Sequence, residues 1–153
     1  GIPASGACTV LGTFMIPQFA ASSGATQSLI QIDDGGASNR FMLRNPTPTS
    51  AITVNRVAAG AVAGDASAGS PTAGVAFAAG LTIDGSGRLA ASINGGAVGV
   101  RTGGPTSGMT TLRVGTDSSG ASGLFGDITY LDIIRAPVSD AQLQALVAAM
   151  PLT

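Results

Sequence analysis

Eight Asp and seven Arg are the only charged side chains, since Lys, Glu and His are all absent, and with one Cys and one Tyr they bound the chemistry open to this chain. Two places could offer a hard cation several oxygens: Asp33 and Asp34 in Asp33-Asp34-Gly35-Gly36, and Asp117 in Asp117-Ser118-Ser119. Calcium takes carboxylates and carbonyls of this kind, so Asp33, Asp34 and Asp117 are its candidate ligands. The plainer reading of each is a turn, because Asp and Ser bond their own backbone there. Acid–base hydrolysis of a glycosidic bond needs two carboxyls roughly 5 to 10 Å apart. No strand-like run carries Asp at i, i+2, and Asp127 and Asp132 fall on opposite faces of a regular strand. A Ser or Cys nucleophile would lack a His base, and zinc would lack all but one of its usual ligands. The inventory therefore predicts no enzyme and no tightly held cofactor, with calcium as the one open metal.

The formal net charge is -1, and single Arg residues are scattered from Arg40 to Arg135. That distribution gives no footprint for a phosphate backbone and no basic run for anionic lipid. Nucleic acid is excluded as a partner. Residues 1 to 32 carry no charge, yet Pro17, Gln18, Ser22, Ser23 and Gly24 interrupt them. A span needs about 20 mostly apolar residues, and a signal needs a basic start, so no membrane insertion is expected. Cys8 reads as a small core hydrophobe and leaves the compartment undecided.

With 23 Gly and 8 Pro in 153 residues, turns must recur every few positions, which suits many short strands. No repeat or linker divides the chain, so residues 1–153 read as one domain. Strands are expected at Thr9 to Phe19, Gln27 to Ile32, Arg40 to Arg44, Ala51 to Val57, Gly74 to Ala79, Arg88 to Asn94, Ala97 to Arg101, Thr110 to Val114 and Leu124 to Ile134. Ala58 to Ala73 is too rich in small residues for periodicity to decide. Asn94-Gly95-Gly96 is the clearest hairpin turn. Leu124 to Ile134 carries apolar residues at both parities, which predicts a strand covered on both faces. The five Phe, including Phe125, read as core, and Tyr130 as half buried. Ser139-Asp140-Ala141-Gln142 has the form of a capping box, and Leu143, Leu146, Val147 and Met150 then mark one stripe of a short helix ended by Pro151.

The order of these elements resembles the concanavalin A-like, laminin-G-like jelly-roll family. The resemblance rests on Leu89 to Val98 with its Asn94-Gly95 turn, Leu112-Arg113-Val114-Gly115, Gly126-Asp127-Ile128, and Ile133 through Ser139-Asp140 to Leu143. It implies an all-β fold, a two-sheet antiparallel sandwich with one short C-terminal helix. Members usually begin with a further strand ahead of the one that Thr9 to Phe19 resembles. Either Gly1 follows a cut, making this the C-terminal part of a longer chain, or the N-terminus departs from the pattern. The glucanase branch needs a Glu-x-Asp-x-x-Glu strand, and this chain has no Glu. Other members are lectins or adhesion modules, some with calcium. The resemblance implies a non-catalytic structural or adhesive module, foremost of a phage virion, where such modules self-associate, often as trimers, or meet other virion or surface proteins. The alternative is a glycan-binding lectin domain of a secreted bacterial protein, meeting a cell-surface glycan. The location implied is a virion or the extracellular surface.

Overall fold

The computed structural model describes residues 1–152. Eleven strands and two helices follow one another as β1 (Cys8–Met15), α1 (Ala20–Ser23), β2 (Gln27–Asp33), β3 (Arg40–Asn45), β4 (Ile52–Ala58), β5 (Ala61–Val62), β6 (Ala66–Gly69), β7 (Phe77–Ile83), β8 (Leu89–Ile93), β9 (Gly99–Arg101), β10 (Thr111–Val114), β11 (Asp127–Ile134) and α2 (Asp140–Ala148). All pairings are antiparallel. The first sheet runs β11-β1-β7-β8-β9, and the second β10-β2-β3-β4-β5, with β6 also on β4. The jelly-roll sandwich and its closing helix are therefore as the sequence implied.

Period-two alternation builds the shared layer. Val10 and Phe14 of β1, Ile30 and Ile32 of β2, Phe41 and Leu43 of β3, Ile52 and Val54 of β4, and Leu81 and Ile83 of β7 are all fully buried between the sheets. Phe14 and Phe77 meet at its centre with ring centroids 6.1 Å apart. Each such side chain stabilises the fold by roughly 1.5–3 kcal/mol through burial. Cys8 joins this layer at 1% exposure, and burial pushes its thiol up to about 11, so it packs as an inert small hydrophobe.

The first sheet's outer face is covered by α2. Ser139 Oγ accepts from the Gln142 backbone N–H at 3.2 Å, and the Ser139 N–H donates to Gln142 Oε1 at 3.0 Å, the reciprocal box expected. Leu143 and Val147 then pack on Leu11 and Ala78, with Leu146 and Met150 at the margin. The helix lies this close because position 80 has no side chain: a Cβ on Gly80 would come within 2.9 Å of Leu11 and Leu143. At the neighbouring hairpin Asn94 and Gly95 take φ of 52° and 76°, the paired positive values a tight I′ turn requires.

Several expectations are corrected. The first strand stops at Met15, because Pro17 and the one-turn α1 follow. The strand expected at Gly74 to Ala79 lies at Phe77–Ile83 instead, since Gly74 sits at a turn with φ of 74°. The undecided small-residue segment yields the short β5 and β6. Leu124 to Ile134 is not a covered strand: β11 pairs with β1 alone and forms the sheet edge. Phe125 is accordingly 73% exposed rather than core, while Phe14, Phe19, Phe41 and Phe77 are buried. A bulge opposite Thr13 and Phe14 leaves Thr129 unpaired, so Asp127 faces Met15 and Asp132 faces Leu11 on the same side of the sheet, not opposite sides. Four residue steps along β1 separate the two, about 13 Å, too far for a hydrolytic pair.

Gly80→Ala is expected to destabilise the protein by about 1–3 kcal/mol through overpacking beneath α2. Gly123→Ala, with open space around it, is expected to be near neutral, and thermal melts of both variants check the contrast.

Candidate functional site on the outer face of the second sheet

The alternation that fills the core leaves the opposite parity of β2, β3 and β4 mostly polar, with Met42 and Val57 as its apolar members. One row across the sheet runs Arg113, Gln31, Met42, Asn55 by register, and the adjacent row places Asp33 beside Arg40. No helix covers this face. Two networks frame it. At one side Asp33, fully buried, accepts from Gln31 Nε2 at 2.7 Å and from Arg113 Nε at 2.8 Å on Oδ2, and from the Gly35 N–H at 2.8 Å on Oδ1. The bond to Asp33 raises the Arg113 guanidinium further, against the opposing effect of burial. At the other side Asp65 Oδ1 accepts from Thr53 Oγ1 at 2.9 Å, Asn55 Nδ2 at 3.1 Å and Arg44 Nη2 at 3.1 Å.

Between these networks lie three side-chain atoms that are buried and without a hydrogen-bond partner: Gln31 Oε1, Arg40 Nε and Asn55 Oδ1. Their orientation is fixed, because each amide nitrogen is already donating: Gln31 Nε2 to Asp33, and Asn55 Nδ2 to Ala63 O at 2.8 Å as well as to Asp65. A buried polar atom left unpaired costs about 1–3 kcal/mol, so these three are the unsatisfied positions of this face. Gln31 on β2 and Asn55 on β4 lie about 10 Å apart by strand spacing, with the Arg40 guanidinium on the strand between. Unlike Arg44, Arg88 and Arg113, Arg40 makes no ion pair among the described residues.

The three Asp residues singled out from sequence are not gathered at one point. Asp33 belongs to this face. Asp34 sits in the turn beyond it, where the Asn39 side chain at 2.8 Å and the Gly36 N–H at 2.9 Å hold its carboxyl below the usual range. Asp117 lies in the loop after β10, close enough to feel Arg113. Burial pushes its carboxyl up, but the Ser119 hydroxyl at 2.8 Å and backbone N–H groups of the loop outweigh that and hold it at about 2. All three carboxylates thus already accept from N–H or O–H donors. No group of three or more His, Cys, Asp or Glu side chains clusters for a metal among the described residues. Sequence reasoning passed over Gln31, Arg40 and Asn55, and the alternation that could have flagged them is broken by Leu29-Ile30, by Phe41-Met42-Leu43 and by Asn55-Arg56.

No family model matches the chain, and no curated protein matches it in sequence. Solved structures do match in fold. A heptameric SAP-like pentraxin from Limulus polyphemus superposes with a TM-score of 0.68 at 13% identity, over 92% of this chain and 69% of that one. A leech intramolecular trans-sialidase, complexed with 2,7-anhydro-Neu5Ac, gives 0.69 at 16% identity over 94% of this chain. The NanB sialidase from Streptococcus pneumoniae gives 0.64 at 16% identity over 95%. The chain spans only 23% of the trans-sialidase and 24% of NanB, the length of one part of each enzyme. At these identities the likeness establishes the fold, a pentraxin-like sandwich.

Two outcomes follow from the carboxylates. The Asp117 carboxyl titrates below its unfolded value of about 3.9, so the stability it contributes is complete above that pH and is lost as pH falls toward 2. Asp117→Asn should flatten that acid limb in pH-dependent melts. Added calcium should leave the melting temperature unchanged, because the oxygens it would need are already engaged.

Proposed function

We propose that this chain is a non-catalytic carbohydrate-binding module and that the outer face of its second sheet is the binding surface. The observation that carries the reading is that Gln31 Oε1, Asn55 Oδ1 and Arg40 Nε lie buried and unpaired on the outer side of the second sheet, the face no helix covers. Sugar hydroxyls donate to amide oxygens and accept from guanidinium N–H groups, which is the complement of this set. Planar amides held by their own nitrogens lose little freedom on binding. Arg40, without a counter-ion among the described residues, suits a glycan that carries a carboxylate. The sandwich likeness to parts of sialidases, one of them complexed with a sialic acid derivative, is consistent with this reading. Such a module would act outside the cell or at a cell surface. The virion role implied by the sequence resemblance receives nothing from a pentraxin and sialidases, and no observation favours it.

The test is a glycan array followed by calorimetry on the retained sugar. The wild-type protein is expected to retain a defined glycan, with carboxylated sugars preferred over their neutral counterparts. Gln31→Ala and Asn55→Ala should each weaken binding about tenfold, the loss of one well-placed hydrogen bond, in protein whose fold circular dichroism verifies. Arg40→Gln should remove the preference for carboxylated sugars. Retention of no glycan, or equal affinity in all three variants, would overturn the proposal.

A further inference from the structure

The sandwich is open along one side. β11 ends its sheet, and seven of its eight residues are exposed. Its inward-facing Ile128, Leu131 and Ile133 are 40–44% exposed, although the residues opposite them on β1 include Val10 and Phe14 at 0%. Across the gap Leu112 and Val114 of β10 are only partly buried. A groove of about 380 Å³ continues this opening beyond the end of β11, bounded by Ile2, Leu112, Ile133 and Arg135. An apolar layer thus lies uncovered beside a strand edge whose backbone is unpaired.

We infer that β11 receives an extended segment of another protein, one in which apolar and basic residues alternate. Addition of a strand to β11 would pair its free backbone groups and turn every second side chain of the newcomer into the open layer. The charge of the other face selects the partner. The bulge at Thr129 brings Asp127 and Asp132 to the same outward face, and neither has a cationic partner among the described residues. Asp132 Oδ1 accepts from the Ile133 N–H at 2.8 Å, which shows that this N–H points away from β1 and that a carboxylate guards the edge. Antiparallel pairing with a second copy would gather four carboxylates on one face, so self-association here is opposed. Lys or Arg at alternate positions of an incoming strand would neutralise both carboxylates and free the guarded N–H. This surface is separate from the glycan face and does not depend on it.

The experiment uses the full chain and two synthetic peptides, one alternating Lys and Val, the other Glu and Val. Tyr130 is the only Tyr, the chain has no Trp, and it lies on β11 opposite Thr13, so intrinsic fluorescence reports on this strand directly. The Lys peptide is expected to bind saturably and the Glu peptide not to bind. The double variant Asp127→Lys with Asp132→Lys, both at exposed positions, should weaken the Lys peptide by at least about tenfold and transfer binding to the Glu peptide. Leu131→Asn should weaken both. Absence of Lys-peptide binding, binding unaffected by the charge reversal, or a native mass of twice 14.8 kDa that Leu131→Asn returns to the monomer would overturn the inference.

Discussion

Two sheets can share only one apolar layer, and every other feature of this molecule follows from how that layer is filled. Its large side chains come from alternate positions of the strands, with Phe14 and Phe77 in contact at the centre. Each strand must then present its remaining parity outward. On the first sheet that parity sets Leu11, Ala78 and Gly80 among Thr9, Thr13, Thr82 and Ser92, and a helix packs on the apolar part. On the second it is Gln31, Asp33, Arg40, Asn55 and Thr53 with Met42 and Val57 among them, and no helix packs there. The helix-covered face and the more polar face thus differ in what packs on them.

The two sides of the sandwich differ in the same way. At the β9 side, Arg101 Nε donates to Gly64 O, Arg56 Nε donates to Thr102 O, and Gly99 lets β6 approach without a side chain between them. These contacts close the layer. At the β11 side the Phe125 N–H donates to Gln27 Oε1 and the Ser28 N–H to Ser122 O at one end, yet the apolar side chains of both sheets stand partly in solvent. A protein that exposes Ile128, Leu131, Ile133 and Phe125 along a single edge departs from the usual scatter of surface hydrophobes.

Local signals in the sequence were read well where one short-range interaction decides the conformation. The capping box at Ser139 and the Asn94-Gly95 turn are of this kind. What escaped was set by strand neighbours. Whether β11 is central or at an edge depends on how many strands lie beside it, and apolar residues at both parities describe either case. The bulge at Thr129 reverses the facing of Asp127, and no residue type announces it. Gln31, Arg40 and Asn55 come from three separate strands, so only the register that aligns β2, β3 and β4 makes them one surface. The Asp residues, by contrast, drew notice as charges, yet in the folded chain most of their oxygens are occupied by turns and ion pairs.

The central claim is that the outer face of the second sheet, and no other surface, holds the glycan. The most direct measurement is a titration of isotopically labelled protein with the retained sugar, followed through the side-chain amide NMR signals of Gln and Asn. The account predicts that the amides of Gln31 and Asn55 shift and saturate together while those of Gln142 and Gln144 on α2 stay fixed. Saturating shifts at the α2 amides, with Gln31 and Asn55 unmoved, would contradict it.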